Sequence, residues 1–195
     1  MRVLAGICAA GSSTRMGFDK LAAPLPTATP LKGDTCLTRA CAASSHLDQH
    51  VILPPQDHPY YSARKALIGP LPAQSVSGGF SESLKALARA ALGYDGLLVQ
   101  LADMPLIRPA HVEAICTAFE AEAGLAIIRA VTDTGRQGHP VLFPAACLPA
   151  FEDLTGDHGA QEIVARFGVT PLEIAGDAAI RDLDSPEDWA AFVAD

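Results

Sequence analysis

The sequence predicts an α/β fold built on a mostly parallel β-sheet. Residues 3–9 are a continuous apolar run and residues 96–102, Gly-Leu-Leu-Val-Gln-Leu-Ala, a largely apolar one, as in strands covered on both faces. Segments with helical apolar spacing alternate with such runs along the chain, and that alternation is the mark of a parallel sheet between helices. The composition supports a buried interior, with 49% hydrophobic and 18% charged residues, the balance of a globular chain.

The elements follow in order. Residues 3–9 form the first strand, and a polar glycine loop runs from Gly11 to Lys20. Residues 21–34, rich in Pro, Thr and Gly, read as a loop. Thr35 to Ser45 reads as a short helix with Asp34 as a candidate N-cap. Val51–Leu53 before two prolines is a short strand, and residues 56–72, with Pro59, Pro70 and Pro72, read as irregular. Ala73 to Val76 is a strand. Ser77-Gly78-Gly79 is a turn opening a helix in which Leu84, Leu87, Ala88, Ala91 and Leu92 recur at helical spacing. Pro109 starts a helix with Val112, Ile115, Cys116 and Phe119 on one face. Residues 125–131 and 140–143 are strands, Glu162 to Phe167 is helical, and Val169 to Ile174 is a strand. Ser185-Pro186-Glu187-Asp188 opens the last helix with a serine cap, a proline and first-turn acids. With no internal repeat, low-complexity tract or linker, residues 1–195 are expected to form a single domain.

The formal net charge is −8, which opposes binding to a nucleic-acid backbone. Small phosphate ligands remain open, because local cations and backbone amides can hold them in an acidic protein. No apolar run approaches the roughly 20 residues that span a bilayer, so no membrane partner is expected. The first apolar stretch is short and ends in a glycine–serine turn, which favours a buried strand over a leader. Cys8, Cys36, Cys41, Cys116 and Cys147 are odd in number and dispersed, as in a reducing compartment, and the cytoplasm is the expected location.

Six segments have side chains suited to chemistry. Ala9-Ala10-Gly11-Ser12-Ser13 leads through Arg15 to Lys20. Leaving a buried strand, it occupies the place where open α/β sheets bind ligands, and it combines close backbone approach with hydroxyls and two cations, as a triphosphate needs. It is neither a Walker A loop nor G-x-G-x-x-G, and an ordinary turn with solvated charges is the competing reading. Asp103, ending an apolar strand at the same sheet edge, either holds Mg²⁺ with phosphate oxygens completing its shell or caps the next helix. Gly78-Gly79-Phe80-Ser81-Glu82-Ser83 exposes amides at a helix start, unless Ser81 is simply the N-cap. His139, in Gly138-His139-Pro140-Val141-Leu142-Phe143, is either a contact for an acceptor phosphate or a turn histidine. Gly156-Asp157-His158-Gly159-Ala160 is a loop, over a site or not. Asp182 and Asp184, read as alternating along a short strand, present both carboxylates to one side, for a cation or for the last helix.

Together and in this order, these segments resemble the MobA-like nucleotidyltransferases, most closely the molybdenum cofactor cytidylyltransferases. The opening signature L-A-A-G-x-S-x-R-M-G-x-x-K appears as residues 8–20 with Cys8 in place of leucine. D-x-P matches Asp103-Met104-Pro105, G-H-P-V-L-F matches 138–143, G-D-x-G-A matches 156–160, and D-x-D-[ST]-P-E-D matches Asp182 to Asp188. The resemblance implies a three-layer α/β/α, Rossmann-like domain. It also implies Mg²⁺-dependent transfer of a nucleotide from an NTP to the phosphate of molybdopterin, releasing pyrophosphate. In that reading Ala9, Ala10, Gly11, Ser12, Ser13, Gly79 and Ser83 bind the nucleotide, and Arg15 and Lys20 neutralise the triphosphate. Asp103 and Asp184, with Asp182 as a weaker candidate, hold Mg²⁺, and His139 and Asp157 face the acceptor. Ala9-Ala10-Gly11 resembles the cytidylyl branch, where the guanylyl branch shows Ala-Gly-Gly, so CTP is the expected nucleotide. A product of this kind implies a transient molybdoenzyme or chaperone partner. The proline-rich stretch Leu21 to Leu37 departs from the family's compact K-L-L-x-P-x-G-K-P-L-L and leaves the acceptor open. Two alternatives stand: the same fold using GTP or another phosphorylated acceptor, and a non-catalytic cofactor-binding or chaperone protein.

Overall fold

The structure, a computed structural model, describes residues 1–26, 34–156 and 160–192. Its strands are β1 (Val3–Cys8), β2 (Asp48–Leu53), β3 (Ala73–Ser75), β4 (Gly96–Leu101), β5 (Ile127–Thr132), β6 (Gln137–Pro144) and β7 (Val169–Ile174). They form one seven-stranded sheet in the order β3-β2-β1-β4-β6-β5-β7. β6 runs antiparallel to β4 and β5, and the other pairings are parallel. The exception has a simple cause. Only residues 133–136 separate β5 from β6, too few for a parallel crossover of a dozen or more residues.

Helices cover both faces: α1 (Cys36–Ala43), α2 (Tyr61–Ile68), α3 (Phe80–Ala90), α4 (Pro109–Ala121), α5 (Gln161–Phe167) and α6 (Pro186–Ala190), with a 3₁₀ helix at Ala145–Asp153. The period-2 alternation of β1 separates the two layers. Leu4 faces a cluster containing Leu84 and Leu87 of α3, Phe151 of the 3₁₀ helix and Ile163 of α5. Val3 and Ala5 face Val112, Ile115 and Phe119 of α4, and Ile7 faces Leu37 and Ala40 of α1 and Ile68 of α2. The result is the expected three-layer α/β/α arrangement. Gly6 sets the depth of α3 on the sheet, since a Cβ there would lie 2.7 Å from the Leu87 methyls.

Several local expectations are corrected. Residues 56–72 are not irregular, because α2 fits between Pro59 and Pro70. Its inward face was hidden because one of its two buried positions is Arg64 and the other Ile68. Thr35, rather than Asp34, caps α1, in a reciprocal capping box with Thr38, while Asp34 pairs with Arg39 at 2.7 and 2.8 Å. Gly79, rather than Ser81, is the N-cap of α3, and the Ser81 hydroxyl donates to the Gly156 carbonyl. Leu92 lies past the end of α3 and is exposed. Residues 182–184 are not a strand. Ser185 does cap α6 as expected. No helix among the described residues is long and apolar enough to cross a membrane.

Candidate active site

The strand order reverses at β1, with β2 on one side and β4 on the other, and an open α/β sheet binds ligands at such a point, beyond the carboxyl ends of the strands. Cys8 of β1 is in register with Leu101 of β4. The glycine loop leaving β1 and Asp103 following β4 therefore emerge side by side. They wall a cavity of about 590 Å³ that is also lined by Pro55, His58, Val76, Gly78, Gly79, Phe80, Ser83 and Asp184. The first turn of α3, with Phe80 and Ser83, thus opens into the same space.

Lys20 is the electrostatic centre. Its side chain is 9% exposed, and its Nζ donates to Asp103 Oδ2 at 2.7 Å and Asp184 Oδ1 at 2.5 Å. Asp184 Oδ2 also accepts from Arg15 at 2.5 Å, but Arg15 is 72% exposed. Burial works against the Lys20 ammonium, yet the Asp103 and Asp184 carboxylates outweigh it and raise the pKa. Burial likewise opposes ionisation of Asp184, and Lys20 and Arg15 overcome it to hold that pKa down. For Asp182, burial and the neighbouring Asp184 and Asp103 carboxylates outweigh Lys20 and raise the pKa. The remote Asp184 is brought in by the chain itself, since the Leu183 amide donates to the Asp103 carbonyl at 3.2 Å. Trp189 of α6 then packs edge-on against Phe18 of the loop, 5.2 Å between ring centroids. Cys8 also lines the cavity, but burial and then Asp103 push its thiol up to about 12, so it presents no thiolate nucleophile.

The oxygen donors suit a hard cation. Asp103 and Asp184 are both within reach of one ammonium, and two carboxylates completed by phosphate oxygens and water are the usual setting of Mg²⁺. Among the described residues no group of three or more His, Cys, Asp or Glu converges as a self-sufficient metal cage, so substrate oxygens would have to complete the shell.

A second cavity of about 180 Å³ lies on the far side of Phe80, which lines both. Its walls are Leu84, Val99, Val141, Phe143, Ala160 and Val164, with Arg129, His139 and Gln161 as its polar members. Among the described residues His139 Nδ1 is buried without a hydrogen-bond partner. Burial, then the Arg129 charge, lowers this imidazole to about 4, so it is neutral at pH 7. The Gly138-His139 segment of β6 is fixed from outside the cavity. The His139 amide donates to the Ala179 carbonyl at 2.8 Å, and a Cβ on Gly138 would lie 1.8 Å from that same oxygen, so only glycine fits.

Of the residues predicted from sequence, Ala10, Gly11, Ser12, Ser13, Arg15, Lys20, Gly79, Ser83, Asp103 and Asp184 line the large cavity. Ala9 does not; it is fully buried, and its carbonyl accepts from Arg64. His139 lines the second cavity instead. Asp157 lies outside the described residues. The sequence reading missed Pro55, His58 and, above all, Arg64 with its partner Asp19. One signal was available: an acid inside a loop meant for phosphate needs a cation of its own.

A Rossmann-like sheet with a glycine loop, a buried lysine and two carboxylates at its switch point is the arrangement expected of a nucleotide-binding transferase. Comparison with known proteins agrees: a family model for the MobA-like NTP transferase domain matches residues 5–171. The chain belongs to that family and is a nucleotidyltransferase. It is 30% identical over 198 residues to the purine catabolism protein PucB of Bacillus subtilis (strain 168), covering 93% of this chain and 91% of PucB. In structure it is similar to Rv0371c of Mycobacterium tuberculosis H37Rv, with a TM-score of 0.79, 25% identity, and 97% and 96% of the two chains covered. It shares its fold with the 2-C-methyl-D-erythritol 4-phosphate cytidylyltransferase of Thermus thermophilus, with a TM-score of 0.67, 18% identity, and 97% and 96% covered.

Proposed function

We propose that this nucleotidyltransferase transfers CMP from CTP to the phosphate of a molybdopterin-type acceptor, with Mg²⁺, and releases pyrophosphate. The observation carrying the reading is the Lys20–Asp103–Asp184 cluster at the mouth of the glycine loop. A buried cation held ready between two carboxylates can meet a triphosphate and, through those carboxylates, its metal.

In this reading Gly11 and Ser12 offer the phosphates backbone amides, and Lys20 and Arg15 neutralise charge on the β- and γ-phosphates. An oxygen of the acceptor phosphate attacks the α-phosphorus in line. The new P–O bond forms as the bond to the bridging oxygen breaks, and its electron pair leaves with pyrophosphate. Positioning and charge neutralisation do most of the work in such a displacement, which suits a site whose thiol stays protonated. Asp103 and Asp184 would hold Mg²⁺, which when bound neutralises phosphate charge.

CTP is favoured by Ala10. Ala10 lines the cavity, and a side chain at this position leaves less space for a purine than glycine would. One methyl contributes about 1–3 kcal/mol of discrimination. The acceptor is assigned to the side of the second cavity, where the neutral His139, Arg129 and apolar walls suit an organic body bearing a few polar groups. The relative's name, purine catabolism protein, supports purine catabolism as the setting, with the product passed to a molybdenum enzyme.

Thermal unfolding with CTP, GTP, ATP and UTP, each with and without Mg²⁺, tests the reading. A ligand at 100 times its Kd adds about 2.7 kcal/mol of stability. The largest shift is expected for CTP with Mg²⁺. A larger shift for GTP would move the chain to guanylyl transfer, and no shift with any nucleotide would sink the reading.

A further inference from the structure

Arg64 is fully buried, on a helix that lines neither cavity. A guanidinium has five N–H donors, and each has an acceptor here. Nε faces both Asp19 oxygens at 3.1 Å. Nη1 donates to the Ala9 and Gly11 carbonyls, both at 2.7 Å. Nη2 donates to Asp19 Oδ1 at 2.7 Å and reaches Ser13 Oγ at 3.5 Å. The Tyr60 ring covers the group, with its centroid 5.4 Å from Cζ.

The geometry points to Arg64 as a positioning residue that presets the phosphate-binding amides of the glycine loop, a role that rests on the function proposed above. The carbonyl and the following N–H of a trans peptide point in opposite directions. Holding the Ala9 and Gly11 carbonyls inward therefore turns the Ala10 and Ser12 amides outward, toward the cavity that these residues line. The same guanidinium grips Asp19, next to Lys20, so one group ties the start of the loop to its end. Asp19 continues the anchorage, accepting from the Leu21 amide through its side chain at 3.1 Å and from the Ala23 amide through its carbonyl at 2.9 Å. The loop between is conformationally demanding at Ser13, with φ 50°, and such backbone in a non-glycine residue persists only where its surroundings hold it. A lysine cannot replace the fork, because its three donors radiate from one atom.

A phosphate cradle and a general structural strut predict different things for ligands with and without phosphates. The experiment measures, by calorimetry with Mg²⁺, the affinities of CTP, GTP, cytidine and guanosine for the wild type, Arg64→Lys and Asp19→Asn. Unfolding midpoints and hydrogen exchange of the Ala10 and Ser12 amides are followed in parallel. The triphosphate that binds the wild type is expected to weaken at least tenfold in both variants, while its nucleoside changes less than twofold and the loop amides exchange faster. Equal weakening of triphosphate and nucleoside, or an unchanged triphosphate affinity, would overturn the role assigned to Arg64 alone. A wild type that binds no triphosphate would overturn the functional reading and this role with it. Should Arg64→Lys fail to fold, Asp19→Asn, which keeps the buried arginine and the side-chain shape, decides the matter.

Discussion

The two cavities on either side of Phe80 are built on opposite principles. The large one is charged and assembled from loops: its cation comes from residue 20, and its carboxylates come from residues 103 and 184. The small one is lined by residues of β4, β6, α3 and α5, and its polar members include a neutral histidine whose Nδ1 has no partner among the described residues. Charge placed on loops must be held in place by other charges, and the first cavity accordingly contains Lys20 between two acids, with Arg64 beneath the loop. A cavity formed by regular elements inherits its shape from the sheet and needs no such network. The first is suited to a charged, common substrate part, the second to the selective recognition of an organic body.

The contrast can be broken first at the charged side. Asp103→Asn removes one of the two carboxylates on Lys20, and turnover is expected to fall by roughly 10²–10³-fold, with a folded protein by circular dichroism. Turnover within a few-fold of wild type would remove Asp103 from the site.

The second cavity should respond to pH instead. Burial lowers folded His139 to about 4, below the unfolded value near 6.5. The unfolded chain then binds the proton first as pH falls. Stability is therefore complete above about pH 6.5 and declines toward pH 4, by up to about 3 kcal/mol. Urea midpoints between pH 5 and 7.5, where most carboxylates stay ionised, should show a steeper slope in wild type than in His139→Asn, which keeps the contributions of His50 and His111, also lowered by burial. An equal slope in both would mean that the imidazole is solvated.

Gly138→Ala tests the support behind that cavity. The Cβ meets the Ala179 carbonyl, so the backbone must shift, with a loss of about 1–3 kcal/mol visible in thermal unfolding. Filling the cavity with Val164→Trp is a sharper probe of the division of labour. It is expected to raise KM for the acceptor about tenfold, roughly 1.4 kcal/mol, while nucleotide affinity stays put; a parallel loss of nucleotide affinity would show that the two cavities act as one. The smallest effect is expected for Arg15→Ala on stability. A pair this exposed contributes under about 1 kcal/mol, and a larger drop in melting temperature would mean that Arg15 anchors the loop.

The difference between the cavities also explains what could be read early. The strand ends carrying the glycine loop and Asp103 were legible, because continuous apolar runs ending in polar turns mark the carboxyl edge of a buried sheet. His139 was noticed through its glycine and proline neighbours, but its place across Phe80 from the nucleotide cavity was not, since no local pattern says which cavity a strand residue faces. Arg64 was missed because hydrophobic periodicity assumes that inward positions are apolar, and here the most deeply buried face of an eight-residue helix is centred on a cation.

The α/β class, nearly all the strands and the two motif-bearing loops were legible in the residues alone. These follow from local periodicity and turn chemistry, which act over a few residues. Tertiary structure alone decided that Asp184 joins Lys20 across 164 residues, that Arg64 clamps a loop 45 residues before it at Asp19, and that Phe80 divides one cavity from the other. Each of these depends on buried charge or shared surface between distant segments, and the energy that fixes them exists only once the sheet has brought those segments together.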